Sequence, residues 1–381
     1  MMNNFKFQNP TKLVMGKGTI AELSNEIPAG KKIMITFGGG SVKKNGVYDQ
    51  VKAALSQYDT VEFWGIEPNP AIETLRKAIA LGKEEKVDFL LAVGGGSVID
   101  GTKLIAAGLL YEDDAWDLVK KGEATQTIPL GTVLTLPATG SEMNNGAVIS
   151  CRETKEKYPF YANFPVFSIL DPEVTFSLPD HQIACGIADT FVHVLEQYLT
   201  KAGESRLMDR WAESILQTLV EIAPKIKENK QDYQLMADFM MSATMALNGF
   251  IALGVTEDWS THMIGHELTA LTGLTHGHTL AIVMPGTMQV LRKEKGEKIM
   301  QFGARVFGVV SGTHDFRIDE TIRKTEAFFR SLGLTTRLNE EHIGAEVINE
   351  IERRFTERDA HYGEDGLVNG KVAKEILTQV M

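Results

Sequence analysis

The stretch DFLLAVGGGSVIDGTK (88–103) starts with an almost wholly apolar run, passes through three glycines and a serine, and then takes on helical spacing. A short apolar run closed by glycines reads as a buried strand, and here it feeds directly into a helix. Glycines let a backbone approach a ligand without Cβ clashes. The first turn of the following helix offers free N–H groups and a positive dipole end to a phosphate. Gly94, Gly95, Gly96 and Ser97 are therefore candidates to cradle a pyrophosphate. The spacing is not the common GxGxxG, and the alternative is a tight strand-to-helix turn.

The same pattern repeats on both sides of this stretch. KKIMITF (31–37) reads as a strand, followed by GGGS (38–41) and a helix through DQVKAALSQY. TVEFWGI (60–66) is the next strand, followed by EPNP and the helix AIETLRKAIALGKEEK. TIPLGTVLTLP (127–137) is a further strand region, and FPVFSILDP (164–172) is the last. This βαβα rhythm predicts a parallel sheet with helices on both faces. Ser177 to Asp180 then reads as a helix start, with a small cap, Pro179 in the first turn and an acid near the positive end. Beyond it ADTFVHVLEQYLT, LMDRWAESILQTLVEIAPKIKE and YQLMADFMMSATMALNGFIALG are long, helical in period and rich in Ala, Leu and Met. A chain of 381 residues exceeds what one core usually serves. The expectation is an α/β dinucleotide-binding domain over 1–178 and an all-helical metal and substrate domain over 179–381.

The bulk numbers narrow the function. Apolar residues at 43% and charged residues at 23% suit a soluble globular enzyme. The net charge of −11 and the lack of a Lys/Arg-rich block exclude a nucleic-acid surface. No apolar run approaches the ~20 residues that span a bilayer. The opening MMNNFKFQNPTKLVMGKG lacks the apolar segment of a signal peptide. Cys151 and Cys185 form no CxxC and read as reduced thiols of a cytoplasmic protein. No GxSxG elbow appears, which sets hydrolase chemistry aside.

The two other small-residue loops bear on the nucleotide. Gly38, Gly39, Gly40 and Ser41 follow the first of these strands, where an adenosine ribose commonly sits. An acid there would hold a ribose 2′-hydroxyl and repel a 2′-phosphate. The sequence instead has small residues and then Lys43 and Lys44, which favours NADP over NAD. The alternative is that both lysines are a solvated helix start. In LPATGSEMN (136–144), Thr139 and Ser141 have hydroxyls able to bond phosphate or ribose.

DTFVHVLEQY (189–198) puts Asp189 and His193 one helical turn apart on an apolar segment. Four of the nine histidines fall in WSTHMIGHELTALTGLTHGH (259–278): His262 and His266 one turn apart, then His276 and His278 on what reads as a loop around Gly277. Such residues are either hydrogen-bonded core groups or metal ligands, and two i,i+4 pairs in one domain favour the metal. One carboxylate with three imidazoles suits Fe(II) or Zn(II) better than Ca(II) or Mg(II). The lack of a thiolate excludes a cysteine-rich structural zinc site. An open coordination position beside a nicotinamide means hydride transfer between alcohol and carbonyl. Spacing alone does not choose among the four later histidines.

Taken in order, FGGGSVKKNGVYDQV, GIEPNP, LLAVGGGSVIDGTK, LTLPATGSEMN, LDPEVTFSLP, GIADTFVHVLEQY and the 259–278 segment resemble the iron-containing (group III) alcohol dehydrogenases. The resemblance covers essentially the whole chain and points to the NADP(H)-dependent butanol dehydrogenase and aldehyde reductase branch. It implies a Rossmann-like α/β N-terminal domain with a parallel sheet and an all-α C-terminal domain. It implies the metal ligands Asp189, His193, His262 and His276, an Asp and a His four apart followed by two His fourteen apart. His266 falls on a family histidine near the nicotinamide, for substrate positioning or proton relay, and His278 becomes at most a pocket residue. For the cofactor, the resemblance places Gly39 and Ser41 at the 2′-phosphate and Asn69 toward the adenine ribose. Gly95, Gly96, Ser97 and Asp100 fall at the pyrophosphate, Thr139 along the cleft and Leu178 beside the nicotinamide. Lys157, in the shortened segment KEKYPFYANFP, corresponds to a family lysine that reaches the ribose.

The expected function is an NADP(H)-dependent reductase of aldehydes to primary alcohols, with one Fe(II) or Zn(II) and a small-molecule partner. The family implies dimers or higher assemblies, a homodimer being expected, and the composition implies no membrane or nucleic-acid partner. A glycerol dehydrogenase or dehydroquinate synthase-like lyase of the same architecture would need polar or cationic residues around its substrate. TFVHVLEQY, MMSATMALNGFIALG and DWSTHMIGHEL are apolar instead. A non-catalytic nucleotide or metal binder would give no turnover.

Overall fold

A computed structural model describes residues 2–381, so of the expected first domain Met1 alone lies outside the described residues. The strand that opens the decisive stretch, β4 (Phe89–Gly95), lies inside a six-stranded sheet and is buried along nearly all its length. Its neighbours are β2 (Lys32–Phe37) and β5 (Leu130–Leu136), both mostly buried. Strands covered on both faces need no alternation of apolar and polar residues, which is why these segments read as continuous apolar runs. Outside them lie β3 (Asp59–Phe63), β8 (Phe167–Leu170) and β1 (Lys12–Met15), in the order β1-β8-β5-β4-β2-β3, every pairing parallel. Leu91 pairs with Ile35 on one side and Gly131 on the other, and Gly131 pairs in turn with Phe167. A Cβ on Gly131 would lie 2.2 Å from the Phe167 ring, so only glycine fits there.

The structure refines the sequence reading at several places. β3 stops at Phe63, because Trp64 turns back to stack on Phe37 at 4.1 Å and Gly65 takes a φ of +96°. β1 and the antiparallel hairpin of β6 (Gly146–Cys151) and β7 (Glu156–Tyr161) were not foreseen. Ser177 does not start the long helix. It ends a 3-10 turn, Pro172–Ser177, capped by the Asp171 carboxylate, and the helix runs Asp180–Tyr198 with Pro179 ahead of it.

The chain forms two compact units. The first comprises Gln8–Pro179 with Lys230–Thr244. All the named strands lie in it, and so does most of the helix Tyr233–Ala246. Within it Lys230 Nζ donates to the Leu178 carbonyl (3.0 Å) and Thr244 Oγ1 to the Glu142 carboxylate (2.5 Å). The helical period read through MALNGFIALG therefore ends at Ala246. The second unit holds Asp180–Asn229, Met245–Met381 and an N-terminal segment ending at Phe7. Its helices include Arg206–Glu228, Ser260–Thr272, His276–Val290, Ala345–Glu357 and Gly370–Gln379. Ile264, Leu268, Ile282, Val283, Ile351, Phe355 and Ile376 form one of its cores. No helix among the described residues is long and apolar enough to cross a membrane.

Candidate metal centre and nucleotide loops

The Asp180–Tyr198 helix is buried at every residue from Ile183 onward. Asp189, His193 and Glu196 sit at i, i+4 and i+7, which puts all three on one stripe. The Ser260–Thr272 helix supplies His262 and His266, and His276 opens the next helix. His276 to His278 is thus the first turn of a helix and not a loop. Gly277 serves packing in this turn: a Cβ there would lie 2.1 Å from the Cys185 carbonyl oxygen. The missing side chain lets the two helices touch backbone to backbone, one turn before Asp189.

Ligand atoms of Asp189, His262 and His276 lie within 4.8 Å of one another. His193 Nε2 and His262 Nε2 are each 3.7 Å from Asp189 Oδ1, and the two rings stack at 4.5 Å. His193 and His262 thus flank one Asp189 oxygen, and His276 joins Asp189 and His262 in the tighter cluster of three. The His266 ring packs 4.8 Å from that of His276 and 6.3 Å from that of His262. His278 instead faces Thr335, with Nε2 2.7 Å from its Oγ1.

Glu196 was missed, although it stands inside DTFVHVLEQY; its signal was the i+7 spacing from Asp189. Its buried carboxylate accepts the Thr261 N–H (2.6 Å) and the His262 N–H (3.2 Å) and engages His262 Nδ1. Burial pushes the Glu196 carboxyl up. Burial alone would lower His262, but Glu196 and Asp189 together outweigh it and raise the imidazole to about 9. The buried His262 Nε2 has no hydrogen-bond partner among the described residues. Buried anions beside such an orphaned nitrogen call for a cation. One carboxylate and three imidazoles fit a divalent transition ion, which binds the unprotonated nitrogen.

The glycines of β4 run straight into the Gly96–Gly108 helix. A Cβ on Gly94 would meet Val98 at 2.5 Å, and one on Gly96 would meet Thr139 Oγ1 at 2.3 Å. Bare backbone at Gly96 lets Thr139 pack directly against the loop. Ser97 Oγ accepts the Asn69 N–H (3.2 Å), and Asn69 Oδ1 accepts from Lys157 Nζ (2.9 Å). Three distant segments thus form one hydrogen-bonded line, with Asn69 at φ +55°, a region asparagine tolerates. Asp100 and Ser141 are bonded to each other (2.5 Å), and Asp100 also accepts the Val148 N–H (2.9 Å). Lys103, which the sequence reading passed over, completes this brace. It is fully buried and donates to Ser141 Oγ (2.8 Å), Asn144 Oδ1 (3.1 Å) and the Gly146 carbonyl (2.6 Å). Burial drives Lys103 down to about 8 and Asp100 up. Its signal was the i+3 spacing from Asp100. In the first loop, Gly38 O accepts the Gly65 N–H (3.3 Å) and Gly40 has φ +94°. Ser41, Lys43 and Lys44 are exposed, with Lys43 Nζ 4.1 Å over the Trp64 ring. Leu178 is half-buried just after the 3-10 turn.

A parallel sheet with a glycine-ended strand and a buried Asp–His cluster on helices are the features of a nucleotide- and metal-binding class of protein. Comparison with known proteins makes the class specific. Residues 10–172 match the iron-containing alcohol dehydrogenase family, and residues 183–378 match its C-terminal domain, described as Fe-containing alcohol dehydrogenase family, C-terminal. The chain is 49% identical over 362 residues to the NADPH-dependent aldehyde reductase YqhD of Escherichia coli, covering 93% of this chain and 94% of that protein. It is 44% identical over 358 residues to a probable NADH-dependent butanol dehydrogenase of Bacillus subtilis, covering 92% of each. The crystal structure of E. coli YqhD superposes with a TM-score of 0.98 at 46% identity, over 100% of this chain and 99% of that one. The chain belongs to the iron-containing alcohol dehydrogenase family, and it has that family's α/β plus helical fold.

Proposed function

We propose that this protein reduces aldehydes to primary alcohols with NADPH, and runs in reverse with alcohol in excess. One divalent metal, Fe(II) or Zn(II), would be held by Asp189, His193, His262 and His276. The observation that carries the reading is the approach of two imidazole Nε2 atoms to one Asp189 oxygen, with His262 Nε2 buried and lacking a hydrogen bond. When bound, such an ion acts as a Lewis acid on a carbonyl oxygen. Asp189 supplies the one negative charge among the four ligands. His266, packed on His276, is assigned to substrate positioning or proton relay. Residues 1–178 form the proposed dinucleotide-binding domain and 179–381 the proposed metal and substrate domain. In the former, Gly94, Gly95, Gly96, Ser97 and Thr139 take the phosphates, while Asn69 and Lys157 take the ribose.

The test is NADPH consumption with butanal, before and after chelation and on readdition of Fe(II) or Zn(II). Lewis-acid stabilisation is worth several kcal/mol. The stripped protein is therefore expected to lose at least ~1,000-fold in rate while still binding NADPH. Full turnover by a metal-free sample would end the metal reading.

Relatives carry both NADPH and NADH in their names, so cofactor choice is argued from Gly39 and its neighbours. A Cβ on Gly39 meets nothing within 4 Å, and its φ lies outside the left-handed region. Gly39→Asp is thus accommodated and places a carboxylate where the 2′-phosphate is proposed. The expected outcome is a fall in kcat/KM for NADPH of at least ~10-fold, about 1.4 kcal/mol, with NADH spared. Equal losses with both cofactors would remove the 2′-phosphate assignment.

A further inference from the structure

We propose that Glu196 is the positioning residue of the metal centre, aiming His262 Nε2 at Asp189 while closing the start of the helix that carries His262. The inference rests on the metal reading above and goes beyond its four ligands. Glu196 is 2% exposed and lies one turn beyond His193 on the stripe that bears Asp189. The Ser260–Thr272 helix has Trp259 at its cap, with φ +68° and no side-chain hydrogen bond to the first turn. The free N–H groups there need acceptors. Asp258 takes that of Ser260 (3.0 Å), and Glu196, reaching across from another helix, takes those of Thr261 and His262. A carboxylate at a helix N-terminus is also favoured by the dipole.

The same carboxylate engages His262 Nδ1. That contact keeps the Nδ1 proton on the Glu196 side and leaves the Nε2 lone pair toward Asp189 Oδ1, 3.7 Å away. Lys295, which lines the same small cavity as Glu196, pairs with Asp258 (2.8 Å) and Glu364 (3.2 Å). Leu195, Leu199, Met284 and Met288 make up the apolar lining of that cavity. The negative charge of Glu196 is thus directed at His262, where it raises the imidazole's strength as a ligand.

The test measures Zn(II) affinity of the stripped protein by competition with a chromophoric chelator, alongside the Co(II) absorption spectrum at saturation. Glu196→Gln keeps the shape and an acceptor for the two N–H groups but removes the charge. It is expected to fold, to bind Zn(II) 10–100-fold more weakly and to shift the Co(II) bands, with NADPH affinity unchanged. Glu196→Asp retains the charge and is expected to recover part of the affinity. Unchanged Zn(II) affinity in a folded Gln variant overturns the proposal while leaving the four-ligand reading intact. Failure of both variants to fold marks Glu196 as structural only, and also overturns it. A wild-type protein that binds no divalent ion overturns the metal reading and the proposal together.

Discussion

Asp189→Ala is expected to yield a folded protein with neither bound metal nor turnover. Asp189 is the sole anion among the four assigned ligands, and both His193 Nε2 and His262 Nε2 lie 3.7 Å from its Oδ1. Its side chain is 5% exposed, so little solvent would replace the lost charge. A dication held by neutral imidazoles alone then keeps its full charge in a poorly solvated place, where Coulomb terms are several times larger than in water. Affinity should fall by more than ~100-fold, beyond the loss typical of an outer-shell change. Turnover should fall by at least ~1,000-fold with it. The fold should survive, because alanine is favoured within a helix and Asp189 lies well inside one. Metal analysis after gel filtration, butanal-dependent NADPH oxidation and circular dichroism separate the three effects. A variant that kept both metal and rate would refute the ligand assignment.

The elements that the sequence revealed are those whose signal is local. DFLLAV could be read as β4 because a strand buried on both faces writes itself as an apolar run. β1 has no such signal. KLVM is four residues long and becomes a strand through its pairing with β8, Lys12 opposite Phe167. The β6–β7 hairpin was obscured by Pro159, which ordinarily argues against a strand but is tolerated in an outer strand of a two-stranded ribbon. In the metal centre, helical spacing exposed Asp189 and His193, yet it could not rank His262, His266, His276 and His278. Their separation depends on a packing contact, Gly277 against Cys185, that spacing does not encode. Lys103 and Glu196 were passed over for a related reason. Spacing put Lys103 beside Asp100 and Glu196 in line with Asp189, but what each does depends on partners far off in sequence, Asn144 and Gly146 for one and Thr261 and His262 for the other.

That packing contact leads to a second large effect, for Gly277→Ala. The added methyl carbon would lie 2.1 Å from the Cys185 carbonyl oxygen, 2.8 Å from its carbon and 3.1 Å from its Cα. All three are backbone atoms, so no rotamer change relieves the clash. The helices must part by on the order of 1 Å to restore ordinary contact. Overpacking of a buried contact costs about 1–3 kcal/mol. For a unit of this size that lowers Tm by about 2–12 °C. The displacement acts where it matters most, since Cys185 is one turn before Asp189 and Gly277 is next to His276. Zn(II) affinity is therefore expected to fall at least ~10-fold, as for other changes that disturb ligand orientation. Calorimetry of the stripped protein reads the packing cost, and chelator competition reads the metal separately. A Gly277→Ala protein with unchanged melting and unchanged Zn(II) affinity would show that this contact does not set the distance between Asp189 and His276.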